Sequence, residues 1–473
     1  MHLYQLNITD MKKLWIIIIF LALKPLAYSQ NKVIRFQQLF SDLHKKKSFN
    51  GNVLVAEKGK IIFEASYGLA NETTKEKLNS QSKFMLASIS KQFTAIAIVL
   101  LKKQGKLSYD DLMSKYIPEL NFYKGITIRH LLTHTSGLRS YLEQMELHWD
   151  KTRFATNGDV IKTFVKHKPA TLFKPNERWL YCNTGYVFLA TIVERVAQQK
   201  LSEFLQQNIF KPLKMHNTLI YQSRYAPQKV GNHSKGYIYS QKLKKKILPD
   251  QRGKKFMMVY LDGVTGRVSS TARDMLKWDR ALYTNQLISA QDKAFIFNSY
   301  KTHNGRQTNY GFGWNVDLHN KVYGKLVYHT GRWGGYLNYF GRHLQDDKTV
   351  ILLQNNVTPQ TKFPIIPVRK ILYDLPLFKK VNVAERQLKK YVGTYQFKKG
   401  SETILYKEGK LQIKTNRRNN PYLLPIATHK FLVIGLRPET VYEFFLDKQH
   451  NVYKYRRTQV EAGTIREAIK IRK

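Results

Sequence analysis

The sequence predicts an α/β (α+β) fold: an antiparallel sheet built from both ends of one unit, a helical insertion between them, and a small separate β-domain at the C-terminus. Three observations predict it. Paired β-rich runs stand early, at 51–68 (GNVLVAEKGKIIFEASYG), on either side of the turn text Glu57-Lys58-Gly59-Lys60. Strand-like text returns late, at 325–328, 336–343 and 349–354, after a long stretch of helices and loops. Beyond a basic linker at 378–390, the chain turns into closely spaced short strands.

Taken in order, the first element is an apolar run at 14–23 (LWIIIIFLAL), with Lys12 and Lys13 before it and Lys24-Pro25 after it. Small residues at Ala27 and Ser29 complete the pattern of a secretory signal peptide over 1–29, cleaved before Gln30. The run is too short to span a bilayer. A first domain over 30–378 follows. After its opening hairpin, a buried helix runs from Ser88 to Gln104 and stops at Gly105, a helix-ending glycine. Helical text recurs at 187–199 and 272–282, and a helix at 364–375 closes the unit. The β-domain covers 388–473, with strands near 391–397, 403–406, 411–414, 431–434 and 443–446.

Composition narrows the classes. The 473 residues are 43% hydrophobic, enough for buried cores, which excludes a disordered tail protein. Cys182 is the single cysteine, so there is no intrachain disulfide and no CxxC zinc site. Lysine and arginine total 79 against 33 acidic residues, a formal charge of +46. Export removes nucleic acid as a partner. The basic clusters, among them Lys45–Lys47, Lys242–Lys246 and Arg456–Arg457, read as loops and solvated faces of a compositional excess. A weak attraction to anionic envelope polymers stays open.

The chemistry concentrates at Ser88-Ile89-Ser90-Lys91. Residues three apart share a helix face, so Lys91 stands beside Ser88. A serine hydroxyl is a weak nucleophile and needs such a neighbour to react. The helix start supplies unpaired N–H groups for a developing oxyanion. The SxxK spacing also occurs at Ser29 and Ser80, but only Ser88 opens an apolar helix. Two further motifs follow in order: Tyr181-Cys182-Asn183 before a helix, and His329-Thr330-Gly331 on a late strand. His130 and His134 have zinc-like spacing, but Leu131 stands where a metalloprotease needs glutamate, so no metal is predicted. No cofactor is predicted either.

This ordered set resembles the serine β-lactamase and penicillin-binding protein superfamily, in the branch of class C β-lactamases, D-alanyl-D-alanine carboxypeptidases, D-aminopeptidases and esterases. HLLTHTSGL (130–138), DGVTGRVSSTARDM (262–275) and YGFGW (310–314) carry the resemblance further, making the 130–138 segment a structural turn. LKKYVGTY (388–395) is similar to the start of an appended lipocalin-like β-barrel. The resemblance implies a β-lactamase/transpeptidase-like fold. It implies Ser88 as acylated nucleophile, Lys91 as proton-shuttling amine and Tyr181 as general base. Asn183, His329, Thr330 and Gly331 would bind substrate, and the backbone N–H groups of Ser88 and Arg332 would form the oxyanion hole. His329 replaces the lysine of the KTG motif, and a neutral imidazole is a weaker anion anchor.

The expected function is a secreted or periplasmic serine hydrolase that forms an acyl-enzyme on an amide or ester, of D-amino-acid, cell-wall-type peptides or of esters. Its partner is then a small-molecule or peptide substrate. Two alternatives stand beside it: a non-hydrolysing wall-fragment sensor, and a polyanion-binding envelope protein with a vestigial site.

Overall fold

The structure, a computed structural model, describes residues 31–471 except 265, 319–321, 416–419, 437–438 and 461–463. The expected signal peptide lies outside the described residues. The chain divides into two compact units. One holds the described residues up to Leu318 together with Lys325–Arg369; the other holds those of 319–324 together with Lys370 onward.

The first unit opens with helix α1 over 31–45. Strands β1 (Gly51–Glu57) and β2 (Lys60–Tyr67) form the expected hairpin. Its turn puts Lys58 and Gly59 at φ +50° and +75°, the left-handed pair of a tight hairpin. Phe36 and Phe40 of α1 stack on Phe63 of β2, which seals the outer edge of the sheet. The four later strands are β3 (Asn315–Asp317), β4 (Leu326–Trp333), β5 (Tyr336–His343) and β6 (Lys348–Gln354). The sheet order is β3-β4-β5-β6-β1-β2, antiparallel throughout. β6 and β1 meet in register from Gly51 opposite Gln354 to Glu57 opposite Lys348, so both ends of the unit share one sheet. Strand β4 runs beyond the expected 325–328 and carries the His329-Thr330-Gly331 motif inside it.

Between the sheet's halves lie the helices. α2 (Lys91–Lys103) is almost wholly buried, because its run FTAIAIVLL leaves no polar face. α3 (Asn183–Ala197) packs against it and begins at Asn183 itself, four residues earlier than the apolar text at Val187 suggests. α4 (Ala272–Tyr283) lies on β1 and β6. Beneath it, Arg342 Nε of β5 donates to Asp279 Oδ1 at 2.5 Å, and Thr349 Oγ1 donates to Asp279 Oδ2 at 2.9 Å. A buried charge without partners is costly, and this pair also fixes how α4 sits on the sheet.

The second unit contains a closed barrel of eight antiparallel strands in chain order, from β7 (Gly393–Gln396) to β14 (Thr464–Lys470). Tyr391, Tyr395, Phe431, Tyr442, Phe444 and Tyr455 form its core. Glu402 Oε1 accepts from the hydroxyls of Tyr442 and Tyr455 at 2.8 and 2.5 Å. Three strands fall outside the expected set: Tyr422–Ala427, Val452–Gln459 and Thr464–Lys470. Pro425 interrupts the first at a register shift, and charge masks the other two. The Arg456–Arg457 cluster, expected in a loop or on a solvated face, thus lies on a barrel strand.

Candidate active site

Ser88 stands in a single 3-10 turn, Ala87–Ser90, that runs directly into α2. Lys91, the first α2 residue, therefore lies one turn on, with its side chain back over Ser88. Its Nζ donates to Ser88 Oγ at 3.1 Å and to Asn183 Oδ1 at 2.8 Å. The turn is pinned by three hydrogen bonds, to Asn338 and Val268. Asn338 Nδ2 of β5 donates to Met85 O at 2.9 Å. The Leu86 N–H donates to Val268 O at 2.8 Å, and the Val268 N–H donates to Ser90 Oγ at 2.9 Å. These tethers offset a local cost: Ala87, next to the serine, is held at φ +51°, where residues with a Cβ are disfavoured.

Strand β4 passes close over this turn. A Cβ on Gly331 would stand 2.0 Å from the Leu86 carbonyl oxygen, so only glycine lets the strand approach. The Thr330–Trp333 end of β4 lies beyond the last β3 pairing, Asn315 opposite Tyr328. It leaves one strand edge open at the cleft.

Tyr181 and Asn183 arrive on the segment entering α3. That segment is anchored by the preceding turn: the Cys182 N–H donates to His134 Nδ1 at 3.2 Å, and Thr184 Oγ1 donates to Arg139 O at 2.6 Å. The Tyr181 ring lies 5.0 Å from Lys91 Nζ. Its hydroxyl is buried and has no hydrogen-bond partner among the described residues. Cys182 is itself buried, and burial pushes its thiol up.

His329 lines the cleft with both ring nitrogens near protein partners. It is 2% exposed, and burial, then the Lys91 charge, push it down to about 3. Its Nδ1 lies 2.6 Å from Thr330 O, which can only accept, so Nδ1 carries the proton. Nε2 then accepts from the Tyr310 hydroxyl at 3.0 Å. Both ring nitrogens are committed inside the protein.

Together these side chains line one cleft of about 550 Å³. It takes in Ser88, Lys91, Tyr181, Asn183, His329, Thr330 and Arg332; Gly331 underlies it as the contact with Leu86. Two residues were not assigned to the site from sequence. His134, in the segment expected to be only a structural turn, packs its ring 4.4 Å from Tyr181 and 4.6 Å from Tyr310. It is held well below its usual range by burial, then by Lys91 and His329. Its Nδ1 accepts from Cys182, so Nε2 keeps a proton with no acceptor. Arg267 brings a buried guanidinium to the cleft wall, donating to Asp262 Oδ1 at 3.0 Å and lying 5.2 Å from the Trp333 ring.

A sheet from both chain ends, with an SxxK turn beneath a helical insertion, defines the β-lactamase/transpeptidase-like fold. Comparison with known proteins agrees. The Beta-lactamase family model matches residues 36–372. The chain is 34% identical to Penicillin-binding protein 4* of Bacillus subtilis (strain 168) over 454 residues, covering 93% of this chain and 99% of that one. In structure it is similar to the octameric penicillin-binding protein homologue from Pyrococcus abyssi, with a TM-score of 0.61 and 22% identity, over 92% of this chain and 99% of that one. It is also similar to the D-amino acid amidase from Ochrobactrum anthropi SV3, with a TM-score of 0.57 and 21% identity, over 73% and 96%. The chain belongs to the Beta-lactamase family of serine hydrolases.

Proposed function

We propose that the chain is an exported serine hydrolase that forms an acyl-enzyme on Ser88, cleaving an amide or ester of a D-amino-acid, cell-wall-type peptide or a small ester. The observation that carries this reading is the Lys91 amine within hydrogen-bond distance of both Ser88 Oγ and Asn183 Oδ1, on the wall of an open cleft. Ser88 Oγ attacks the carbonyl carbon, and its proton passes to the Lys91–Tyr181 pair. The carbonyl oxygen takes up the negative charge against the Ser88 and Arg332 N–H groups. Collapse breaks the bond to the leaving amine or alcohol, which takes the proton. Water repeats the sequence and frees the acid. Asn183 and the open edge at Thr330 orient the substrate.

His329 takes no part in binding a carboxylate, since its ring is neutral and committed to Tyr310 and Thr330. Besides Lys91, Arg267 is a buried cation that lines the cleft. The D-amino-acid preference draws on the likeness to an amidase of that class, and export on the apolar run at 14–23.

The test is labelling of the mature protein with a fluorophosphonate and a fluorescent penicillin, the modified residue being found by mass spectrometry. Label on Ser88 that is lost in Ser88→Ala supports the reading, and no label from either probe would overturn it. Labelling without turnover of D-Ala-D-Ala peptides, β-lactams or p-nitrophenyl esters would favour a sensor.

A further inference from the structure

A second concavity of the first unit, about 830 Å³, stands apart from the cleft and is rimmed by Lys46, Lys47, Lys77, Lys244, Lys245 and Lys246. Among the described residues lining it, Glu72 is the one carboxylate, and it is paired with Lys246. The other five amines have no ion-pair partner among the described residues, and all five residues are exposed. Phe49 and Leu69 contribute an apolar floor.

A neighbouring trough lies between the groove and the catalytic cleft and shares wall residues with each. Tyr239 and Thr358 line both the groove and this trough of about 360 Å³. The trough's other end is lined by Arg332 and Trp333, which also line the cleft. Gly335, on the trough wall, lies tight against the 236–237 backbone: a Cβ there would stand 2.2 Å from the Tyr237 nitrogen. Three adjoining concavities therefore succeed one another, from Ser88 past Arg332 and Trp333, then Tyr239, to the five exposed lysines.

We propose that this groove is a binding site for a flexible polyanionic chain, which lies along the lysines and extends through the trough toward Ser88. Lysine ammonium groups are mobile point charges that suit a chain of repeated phosphates or carboxylates in no fixed register. An extended trough fits a thread better than a flat anionic surface. The proposal rests on the acyl-enzyme reading only where it says what the thread delivers to Ser88; the groove's binding is independent of it.

The experiment titrates the full chain with fluorescent long-chain inorganic polyphosphate at several salt concentrations. The groove variant is Lys46→Ser/Lys47→Ser/Lys244→Ser/Lys245→Ser. The control, Lys124→Ser/Lys162→Ser/Lys166→Ser/Lys211→Ser, removes the same charge from exposed positions elsewhere on the unit. The groove variant should bind at least ten-fold more weakly. Its plot of log affinity against log salt should flatten by about 0.7 for each lost phosphate contact. The control should stay close to wild type. Equal loss in both variants, or a flat salt response in wild type, would overturn the proposal. Polygalacturonate in place of polyphosphate separates a phosphate chain from a carboxylate chain. Vesicles of phosphatidylglycerol and phosphatidylcholine form the remaining arm. If only vesicle binding is lost in the groove variant, the partner is a membrane and the polymer reading fails.

Continuity is read separately. Long polyphosphate should slow Ser88 labelling in wild type but not in the groove variant, and tripolyphosphate should do neither. Equal slowing of both proteins would disprove the track. Failure of Ser88 to label at all would count against the acyl-enzyme and leave the binding result standing.

Discussion

Gly331 and Leu86 lie in contact so tight that a single added carbon on Gly331 would stand 2.0 Å from the Leu86 carbonyl oxygen. This contact sets strand β4 against the turn that carries Ser88. Gly331→Ala must push one of them away. It should cost about 1–3 kcal/mol of stability, as overpacking does, and reduce Ser88 acylation by at least ten-fold. A thermal melt and the labelling rate check both. A variant that melts and labels like wild type would show that the approach carries no function.

Lys91→Met keeps the length and apolar stem of the side chain but removes the amine. It also leaves Asn183 Oδ1 without its donor. Labelling of Ser88 should fall by roughly 10²–10⁴-fold, the usual worth of a positioned proton-transfer group. A fall of less than ten-fold would mean that the amine is structural.

Tyr181→Phe tests a hydroxyl that is buried and unpartnered. Removing an unsatisfied buried polar atom costs no hydrogen bond, so stability should hold or rise by up to about 1 kcal/mol. Turnover should fall by roughly 10²–10⁴-fold. Opposite movement of Tm and activity is the signature of a group kept for chemistry. Loss of both together would point to a packing role.

Stability should fall in mild acid. Burial holds His329 down to about 3 and His233 to about 4, with lesser pushes from Lys91 and Lys83, and keeps His134 well below its usual range. An unfolded histidine takes up a proton below about 6.5, while these folded ones refuse it until the pH is far lower. Unfolding therefore absorbs protons, and the stability present above pH 6.5 is lost as the pH falls toward 4. Each such group contributes about 1.4 kcal/mol per pH unit across that window. Tm measured from pH 7 to 4.5 should fall less steeply in His329→Asn than in wild type. Parallel curves would contradict the assignment.

Cys182 should resist a thiol reagent in the native state. Its Sγ donates to Leu138 O at 3.3 Å, it is buried, and burial raises its thiol, which leaves little reactive thiolate. Reaction with a disulfide reagent should track unfolding in denaturant. A fast native-state reaction would show that the segment entering α3 opens readily.

Much of the fold is legible in the chain because its signals are local. The Lys58-Gly59 turn marks the opening hairpin, and the unbroken apolar run of α2 ends where Gly105 takes a positive φ. What stays hidden depends on distant partners. The barrel strand Val452–Gln459 reads as charged because its outward positions are polar, while Val452 and Tyr455 are buried. Asn183 begins α3 four residues ahead of the apolar run at Val187 that announces it. The same holds at the site. Ser88 and Lys91 are adjacent in sequence and could be read together, whereas His134 meets Tyr181 only through the fold. Arg267 is one of 79 basic residues, and nothing local distinguishes a buried arginine from an exposed one. The ring nitrogens of His329 are committed by Tyr310, which the motif does not contain.

The pairing of Gly51 with Gln354 has a temporal meaning. The two residues are separated by roughly three hundred others, so the first hairpin waits for its central neighbour until nearly the whole unit has been made. Such non-local closure is slow, because the chain entropy is lost before the contact repays it. A chain cut short before β4 to β6 would already contain Ser88, Lys91, Tyr181 and Asn183, yet lack the strand that closes over them. On the acyl-enzyme reading proposed above, reactivity would then arrive with the last strands and not with Ser88, leaving a half-made chain chemically silent. The exposed edge of β1 in that interval is where a helper that restrains aggregation would have most to do.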